Sequence, residues 1–379
     1  VSELTVGVVG TSTKENEHRL PIHPDHLRRI PERYRSRLRF ESGYGARFGV
    51  GDGEIERFCG GLAERGEILS GSDLVILPKP TPEDFRALRE GAVFWGWPHC
   101  VQQQEVTQIA IDRRLTLIAF EAMYGWSGAG VRGLHTFAAN NELAGYCSVL
   151  HALGLRGIDG HYGRRRRAAV LSFGSVGRGA VHALRGRGFT EVTIYTGRPP
   201  VQVAGQMFGC RHLQMREGPE GAMEAVQADG TVEPLVDHLA GADLIVNATL
   251  QDPERPRMFL REGEVERLRP GCLIVDVSCD EGMGFPFARP TTFEEPTFWA
   301  GGAIYYGVDH SPSHLWDAAT WEVSEALLPY LPAVLDGPEG WQREETVARA
   351  IEIRDGVVQN PTILSFQNRE EEYPHRIRK

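Results

Sequence analysis

The segment Ser172-Phe173-Gly174-Ser175-Val176-Gly177-Arg178-Gly179-Ala180 follows the apolar run Ala168-Ala169-Val170-Leu171. A strand that turns tightly into a helix at small residues lets a pyrophosphate approach the backbone. It then rests on the helix N-terminus, where free N–H groups and the dipole favour anions. Gly174 and Gly177 fit the second and third glycines of a G-x-G-x-x-G fingerprint, and Ser172 stands where the first is usual. The motif follows a strand, opens a helix and precedes a second strand, Val192 to Tyr195. That context reads as a dinucleotide site, with Ser172, Gly174, Ser175, Val176 and Gly177 as its contacts, rather than as an ordinary strand–helix turn. The second strand ends in Tyr195-Thr196-Gly197-Arg198. An acid there would accept from a ribose 2′-hydroxyl and repel a 2′-phosphate, whereas a hydroxyl and an arginine bind the phosphate. Thr196 and Arg198 therefore favour NADPH (NADP). A later strand closes in Asn247-Ala248-Thr249-Leu250. Ala248, Thr249 and Leu250 are expected along the cofactor crevice, strand capping being the alternative.

Arg19, Lys79 and His99 form a second group. Arg19 lies in Lys14-Glu15-Asn16-Glu17-His18-Arg19-Leu20-Pro21, after a first strand; Lys79 follows Leu74-Val75-Ile76-Leu77; His99 follows Ala92-Val93-Phe94-Trp95. Each stands beyond the carboxyl end of an expected parallel strand, where open α/β sheets build their sites. Singly, each is better explained as an ordinary surface or cap residue. Their equivalent placement is what points to a site.

The elements that must position these residues alternate. Short apolar runs, including Leu117 to Phe120, alternate with helical stretches such as Gln102 to Arg113, which implies a mostly parallel sheet flanked by helices. A Gly-rich stretch, Tyr124 to Gly133, interrupts the pattern, and Asn141 to Leu153 reads as a linker helix. A second alternation begins at Arg167, with later strands at Asp243 to Ala248 and Cys272 to Val277. A second linker helix is expected from about Ser313 to Leu331. The tail, Glu344 to Asn368, reads as helix, strand and turn that pack back on the first domain. The expected fold is α/β: two Rossmann-like domains with parallel sheets, joined by long linker helices. The first domain comprises 1–135 plus 330–379 and the second 136–329.

With 379 residues, 41% of them hydrophobic and 24% charged, the chain can bury two ordinary cores without metals or disulfides. A net charge of -10 argues against a nucleic-acid surface. The one basic run, Arg164 to Arg167, reads as a solvated strand entry. The six cysteines form no CxxC pair, so no metal site is expected. No apolar run approaches the roughly 18 residues of a membrane span. The first residues read as a strand, not a signal peptide. A cytoplasmic enzyme with reduced thiols is expected, and assembly into a homo-oligomer is left open.

Lys14 to Pro21, Phe40-Glu41-Ser42-Gly43-Tyr44-Gly45, Lys79 and His99 together resemble alanine dehydrogenase and lysine-forming saccharopine dehydrogenase. The resemblance implies that Arg19 binds a substrate carboxylate and that Lys79 and His99 do acid–base work. Phe120-Glu121 resembles the saccharopine dehydrogenase position of a pocket glutamate, and Arg132 lies near that family's second substrate arginine, with flanks that match less well. Gly307-Val308-Asp309-His310-Ser311-Pro312-Ser313 is similar to the Asp-His-x-Pro-Ser of saccharopine dehydrogenase and carboxyethylornithine synthase, where alanine dehydrogenase has Asn-x-Pro. Asp309 would approach the nicotinamide ribose or the substrate, helix N-capping being the alternative. Ser172 to Ala180 and Leu364 to Arg369 also resemble the N5-(carboxyethyl)ornithine synthases. The likeness covers nearly the whole chain apart from about Val201 to Glu233 and the last ten residues.

The resemblance implies an NADPH-dependent reductive condensation of a 2-oxo acid, pyruvate, with the side-chain amine of ornithine or lysine. A saccharopine dehydrogenase using 2-oxoglutarate and lysine, an alanine dehydrogenase using ammonia, and a non-catalytic NADP-binding regulator are the alternatives.

Overall fold

The computed structural model describes residues 3–219, 221–252 and 254–378. The chain divides into two compact units, Val1–Ala138 with Leu315–Lys379, and Ala139–His314. Each is a mostly parallel sheet with helices.

In the first unit the strand Val6–Val8 lies at the switch point. It pairs in parallel with Leu38–Glu41 on one side and Leu74–Ile76 on the other. Val93–Gly96 and Thr116–Ala119 continue the parallel sheet outward. These central strands are buried along their length, as parallel strands covered on both faces must be, and so read as unbroken apolar runs. The tail returns as Ile351–Arg354, which adds antiparallel to Thr116–Ala119. The Gly-rich stretch forms a separate two-stranded hairpin, Tyr124–Trp126 against Arg132–His135.

The return to the first unit comes at Leu315, well before the expected position 330. The reason is packing. The helix Trp316–Leu327 buries Val323 and Leu327 in one cluster with Val6, Leu20 and Ile30. Its Thr320 hydroxyl also accepts from Leu20 N at 3.0 Å. This helix is a core element of the first unit.

In the second unit the strand Arg167–Leu171 pairs in parallel with Glu191–Thr196 and Leu244–Asn247 on either side. Leu273–Asp276 and Ala303–Tyr306 follow in parallel. The stretch after position 201 extends the other side with Arg211–Glu217, parallel, and two short antiparallel strands. The crossovers therefore diverge at Arg167–Leu171, and its carboxyl end is where such sheets leave a crevice.

The helices Ala138–Leu155 and Ser175–Gly186 cross at glycines. A Cβ on Gly179 would stand 1.8 Å from the Glu142 carbonyl oxygen, and one on Gly145 would stand 1.9 Å from that of Val176. Backbone cannot yield as a side-chain tip does, so Gly179→Ala should force the helices apart. We expect a loss of about 1–3 kcal/mol, a fall in thermal midpoint of roughly 2–12 °C. Scanning calorimetry checks this, and an unchanged midpoint would refute the close approach.

Candidate active site

Two loops of the first unit are stitched together by polar contacts. Glu41, buried at the end of Leu38–Glu41, accepts from Gly10 N at 2.7 Å, Thr11 N at 2.9 Å and Thr11 Oγ1 at 2.6 Å. Tyr44 donates to Ile22 O at 2.7 Å and accepts from Ile22 N at 3.0 Å. Ser12 Oγ donates to Lys79 O at 2.9 Å. The helix Pro82–Ala87 starts at a capping box in which Thr81 N donates to Asp84 Oδ2 at 2.8 Å, fixing the loop that carries Lys79. The Phe40-to-Gly45 motif thus holds the loop after Val6–Val8, and Ser12 of that loop ties it to the loop after Leu74–Ile76.

Those loops and the next two strand ends bring three of the expected residues together. Lys79 Nζ lies 2.8 Å from His99 Nε2. One of these nitrogens must donate and the other accept, so an ammonium paired with a neutral imidazole fits. His99 sits at φ +48, a left-handed backbone uncommon for a side chain of this size. In that conformation its N–H donates to Glu121 Oε1 at 2.6 Å, and its Nδ1 lies 3.8 Å from the same oxygen. Glu121 Oε2 is buried without a hydrogen-bond partner. Burial, and then the charge of Glu352 on the returning strand, push the Glu121 carboxyl up to about 8.

Arg19 is buried, and Glu17 holds it through Nε–Oε1 at 2.8 Å and Nη2–Oε2 at 2.6 Å. Its guanidinium also stands over Trp97, 5.4 Å from the ring centre. Such a doubly bonded arginine is rigid and pre-aimed. Arg132 sits elsewhere, on the hairpin, 4.6 Å over the Tyr124 ring. It lines a cavity of about 490 Å³ whose wall includes neither Lys79 nor His99.

In the second unit Ser172 adopts φ +84, the left-handed backbone for which glycine is usual. Gly177 packs so closely that a Cβ there would stand 2.3 Å from Ser172 O. Gly174 caps the helix Ser175–Gly186 and is exposed, with open space where a Cβ would go. An open, glycine-lined approach to a twelve-residue helix N-terminus fits a pyrophosphate. Ser175 and Val176 are half-buried in the first turn.

Thr196 is buried, and its hydroxyl donates to Arg198 O at 2.6 Å, so it shapes the loop rather than offering its proton outward. Arg198 is exposed, with no ion pair among the described residues. A neighbour that sequence reasoning missed is Arg257, whose Nη1 lies 3.9 Å from a Cβ placed on Gly197. Nothing in its own neighbourhood of the sequence signals this, because the approach is made by a distant loop.

Ala248 and Thr249 are buried, with Thr249 Oγ1 bonded to Leu171 O at 3.3 Å, while Leu250 is 87% exposed beside them. Asp276 and Asp280 also went unremarked in the sequence. Asp276 accepts from Asn247 Nδ2 at 2.9 Å, Cys279 N at 2.9 Å and Tyr305 Oη at 3.1 Å, yet burial pushes it up to about 7. Asp280 is half-buried and likewise raised by burial. The signal was an Asp closing an apolar strand with another four residues on. Asp309 lies after Ala303–Tyr306 with Oδ1 2.7 Å from His310 Nδ1.

With this geometry in hand, comparison with known proteins is decisive at the level of family. The profile of the alanine dehydrogenase/PNT N-terminal domain matches residues 8–140, and that of its C-terminal domain matches 155–361. The chain belongs to the alanine dehydrogenase/PNT family. It is therefore an oxidoreductase-family member with a nicotinamide cofactor site and small-molecule substrates. Alanine dehydrogenase of Halomonas elongata is 25% identical over 361 residues, covering 90% of this chain and 91% of that protein. N(5)-(carboxyethyl)ornithine synthase of Clostridium botulinum is 24% identical over 331 residues, covering 82% and 89%. A solved L-alanine dehydrogenase superposes with a TM-score of 0.74 at 20% identity, covering 95% of this chain and 98% of that one. The same two-domain α/β fold is thus shared. Among the described residues no helix is long and apolar enough to cross a membrane.

The raised Glu121 carboxyl has a consequence for stability. An unfolded glutamate titrates near about 4.3. The folded chain keeps this proton to about pH 8, so the stabilising contribution is full below the unfolded value and lost as pH rises through the folded one. Glu121→Gln cannot ionise. Urea unfolding at pH 5 and pH 8 should therefore show wild type losing more stability than the variant over that interval. Equal losses would refute the raised value.

Proposed function

We propose that the chain catalyses NADPH-dependent reductive condensation of a 2-oxo acid, pyruvate, with the side-chain amine of ornithine or lysine, giving an N-(carboxyethyl) amino acid. The observation that carries the reading is the Lys79–His99 pair, 2.8 Å apart beyond adjacent parallel strands and backed by Glu121. Its chemistry suits a reaction that must deprotonate an amine and expel water. The Asp309-to-Ser313 segment and the similarity to a carboxyethylornithine synthase support the choice of amine.

Arg19, held in place by Glu17, pairs with the oxo-acid carboxylate. Neutral His99 accepts a proton from the incoming ammonium, leaving a free amine to attack the carbonyl carbon. Lys79 gives a proton to the carbonyl oxygen as the carbinolamine forms, and a second transfer releases that oxygen as water, leaving an imine. Arg132 is assigned to the carboxylate of the amine substrate. Ser172, Gly174, Ser175, Val176 and Gly177 would hold the pyrophosphate of NADPH, Ala248, Thr249 and Leu250 would line the crevice, and Arg198 with Arg257 would face the 2′-phosphate; the cofactor bound there would supply the hydride for imine reduction. The second reading is alanine dehydrogenase, supported by relatives in Halomonas elongata and Mycobacterium tuberculosis that match 90% and 88% of this chain.

Steady-state assays of pyruvate or 2-oxoglutarate against ornithine, lysine and ammonium separate these readings. Fast alanine formation from ammonium, with no gain from ornithine or lysine, would restore alanine dehydrogenase. Lys79→Met and His99→Gln should each lower kcat by roughly 10²–10⁴-fold while NADPH fluorescence titrations stay unchanged. Near-full turnover in both would remove their assigned roles. Arg198→Ala should raise the KM for NADPH by roughly tenfold to a hundredfold and leave NADH little changed. A wild-type preference for NADH would overturn the cofactor assignment.

A further inference from the structure

The cavity beside Arg132 lies wholly within the first unit. Its walls come from the hairpin Tyr124–Trp126/Arg132–His135, the helix Glu345–Arg349 and the returning strand Ile351–Arg354. At about 490 Å³ it has the size of a small-molecule site. Its polar groups are out of balance in a particular way. Among the described residues neither Arg132 nor Arg354 has a carboxylate partner, whereas Arg349 is paired with Glu345 at 2.8 Å and stacked 4.0 Å over Trp126. Trp126 Nε1 is buried without an acceptor. Glu352 is only 6% exposed; Asn360 donates to its Oε1 at 3.0 Å, and its Oε2 has no partner.

A buried group without a partner costs free energy that a ligand can recover. Here the exposed Arg132 and the half-buried Arg354 stand open to an anion, while a buried indole N–H lacks an acceptor and one buried carboxyl oxygen lacks a partner. A phosphate would satisfy the arginines but set its charge against Glu352. A simple carboxylate would leave Oε2 as it is. An α-amino acid carries a carboxylate and an ammonium on one carbon and answers both demands. Ala122, which lines the cavity, directly follows Glu121, whose Oε1 accepts from His99 N.

We infer that this cavity seats the α-amino-acid head of the amine substrate, with its carboxylate on Arg132 and Arg354 and its α-ammonium on Glu352. The side-chain amine then extends past Glu121 toward His99. The inference rests on the condensation reading above and adds Arg354 and Glu352 as specificity-determining residues. Burial raises both carboxyls and the Glu352 charge adds to the rise at Glu121, so an ammonium beside Glu352 would favour the ionised form of each.

The test uses the full chain with three probes: L-ornithine; L-norvaline, which has the head without the side-chain amine; and 1,4-diaminobutane, which has the amines without the carboxylate. Arg354→Ala and Glu352→Gln should each raise the ornithine KM roughly 10- to 100-fold, with the pyruvate KM within about twofold of wild type on the same scale. Calorimetric L-norvaline affinity should fall by the same factor, and Arg354→Lys should recover part of it. Arg354→Ala and wild type should treat 1,4-diaminobutane alike. Should Arg354→Ala not fold, Arg354→Lys and Glu352→Gln carry the test. If ornithine-dependent turnover holds but these variants keep wild-type ornithine KM and norvaline affinity, this placement is wrong and the condensation reading stands. An equal loss with 1,4-diaminobutane would also overturn it, as a merely structural effect. If wild type uses ammonium and ignores ornithine, the condensation reading falls and takes this inference with it.

Discussion

A lysine nitrogen and a histidine nitrogen 2.8 Å apart cannot both be fully protonated, because one of them has to accept. That hydrogen bond sets the geometry of the candidate site in the first unit. It demands that two strand ends, after Leu74–Ile76 and Val93–Gly96, deliver their side chains to one point. Parallel pairing in register supplies the spacing. The capping box at Thr81 and the left-handed backbone at His99 supply the aim. The price appears as strain at His99 and as a buried carboxyl, Glu121, that holds a proton most glutamates would have lost.

The second unit solves a different problem with the same topology. It has to admit an anion to backbone, and so it removes side chains rather than aiming them. Gly174 leaves space, and Gly177 lets the helix sit against the strand end. Ser172 accepts a left-handed backbone that a glycine would adopt freely. Gly145 and Gly179 then bring the helix Ser175–Gly186 against Ala138–Leu155 at backbone contact, which fixes the helix N-terminus relative to its sheet. In both units the candidate site residues stand beyond the carboxyl ends of parallel strands, after Leu74–Ile76 and Val93–Gly96 in one and after Arg167–Leu171 in the other.

Buried acids recur at both places. Burial raises Glu352, and burial with the charge of Glu352 raises Glu121; Asp276 is raised to about 7 even with three donors in reach. Carboxyls kept close to neutral pH in this way can give as well as take protons. Arg19 shows the opposite arrangement: its charge is held by Glu17, so an Arg19→Ala substitution would leave a buried carboxylate behind and cost about 3–5 kcal/mol of stability before any effect on substrate.

The sequence alone determined what depends on local order. Apolar runs of four to six residues became the central strands because parallel strands are covered on both faces. The glycine turn could be read because its backbone needs fall on neighbouring residues. Lys79 and His99 could be named because each follows a readable strand, and Glu121 because Phe120-Glu121 resembles a family motif. Tertiary structure decided the rest. The helix after Leu315 joined the first unit through contacts with Leu20 and Ile30, some 300 residues away, which no periodicity reveals. Thr196 turned its hydroxyl inward to Arg198, and Arg257 arrived at the same loop from a remote segment. Glu352 and Arg354, in a tail that reads as an ordinary strand, gained their meaning only when that strand paired with Thr116–Ala119 and set them beside Arg132. A strand's existence is written in its own residues; which distant charges its end will face is set by the pairing of chain segments far apart.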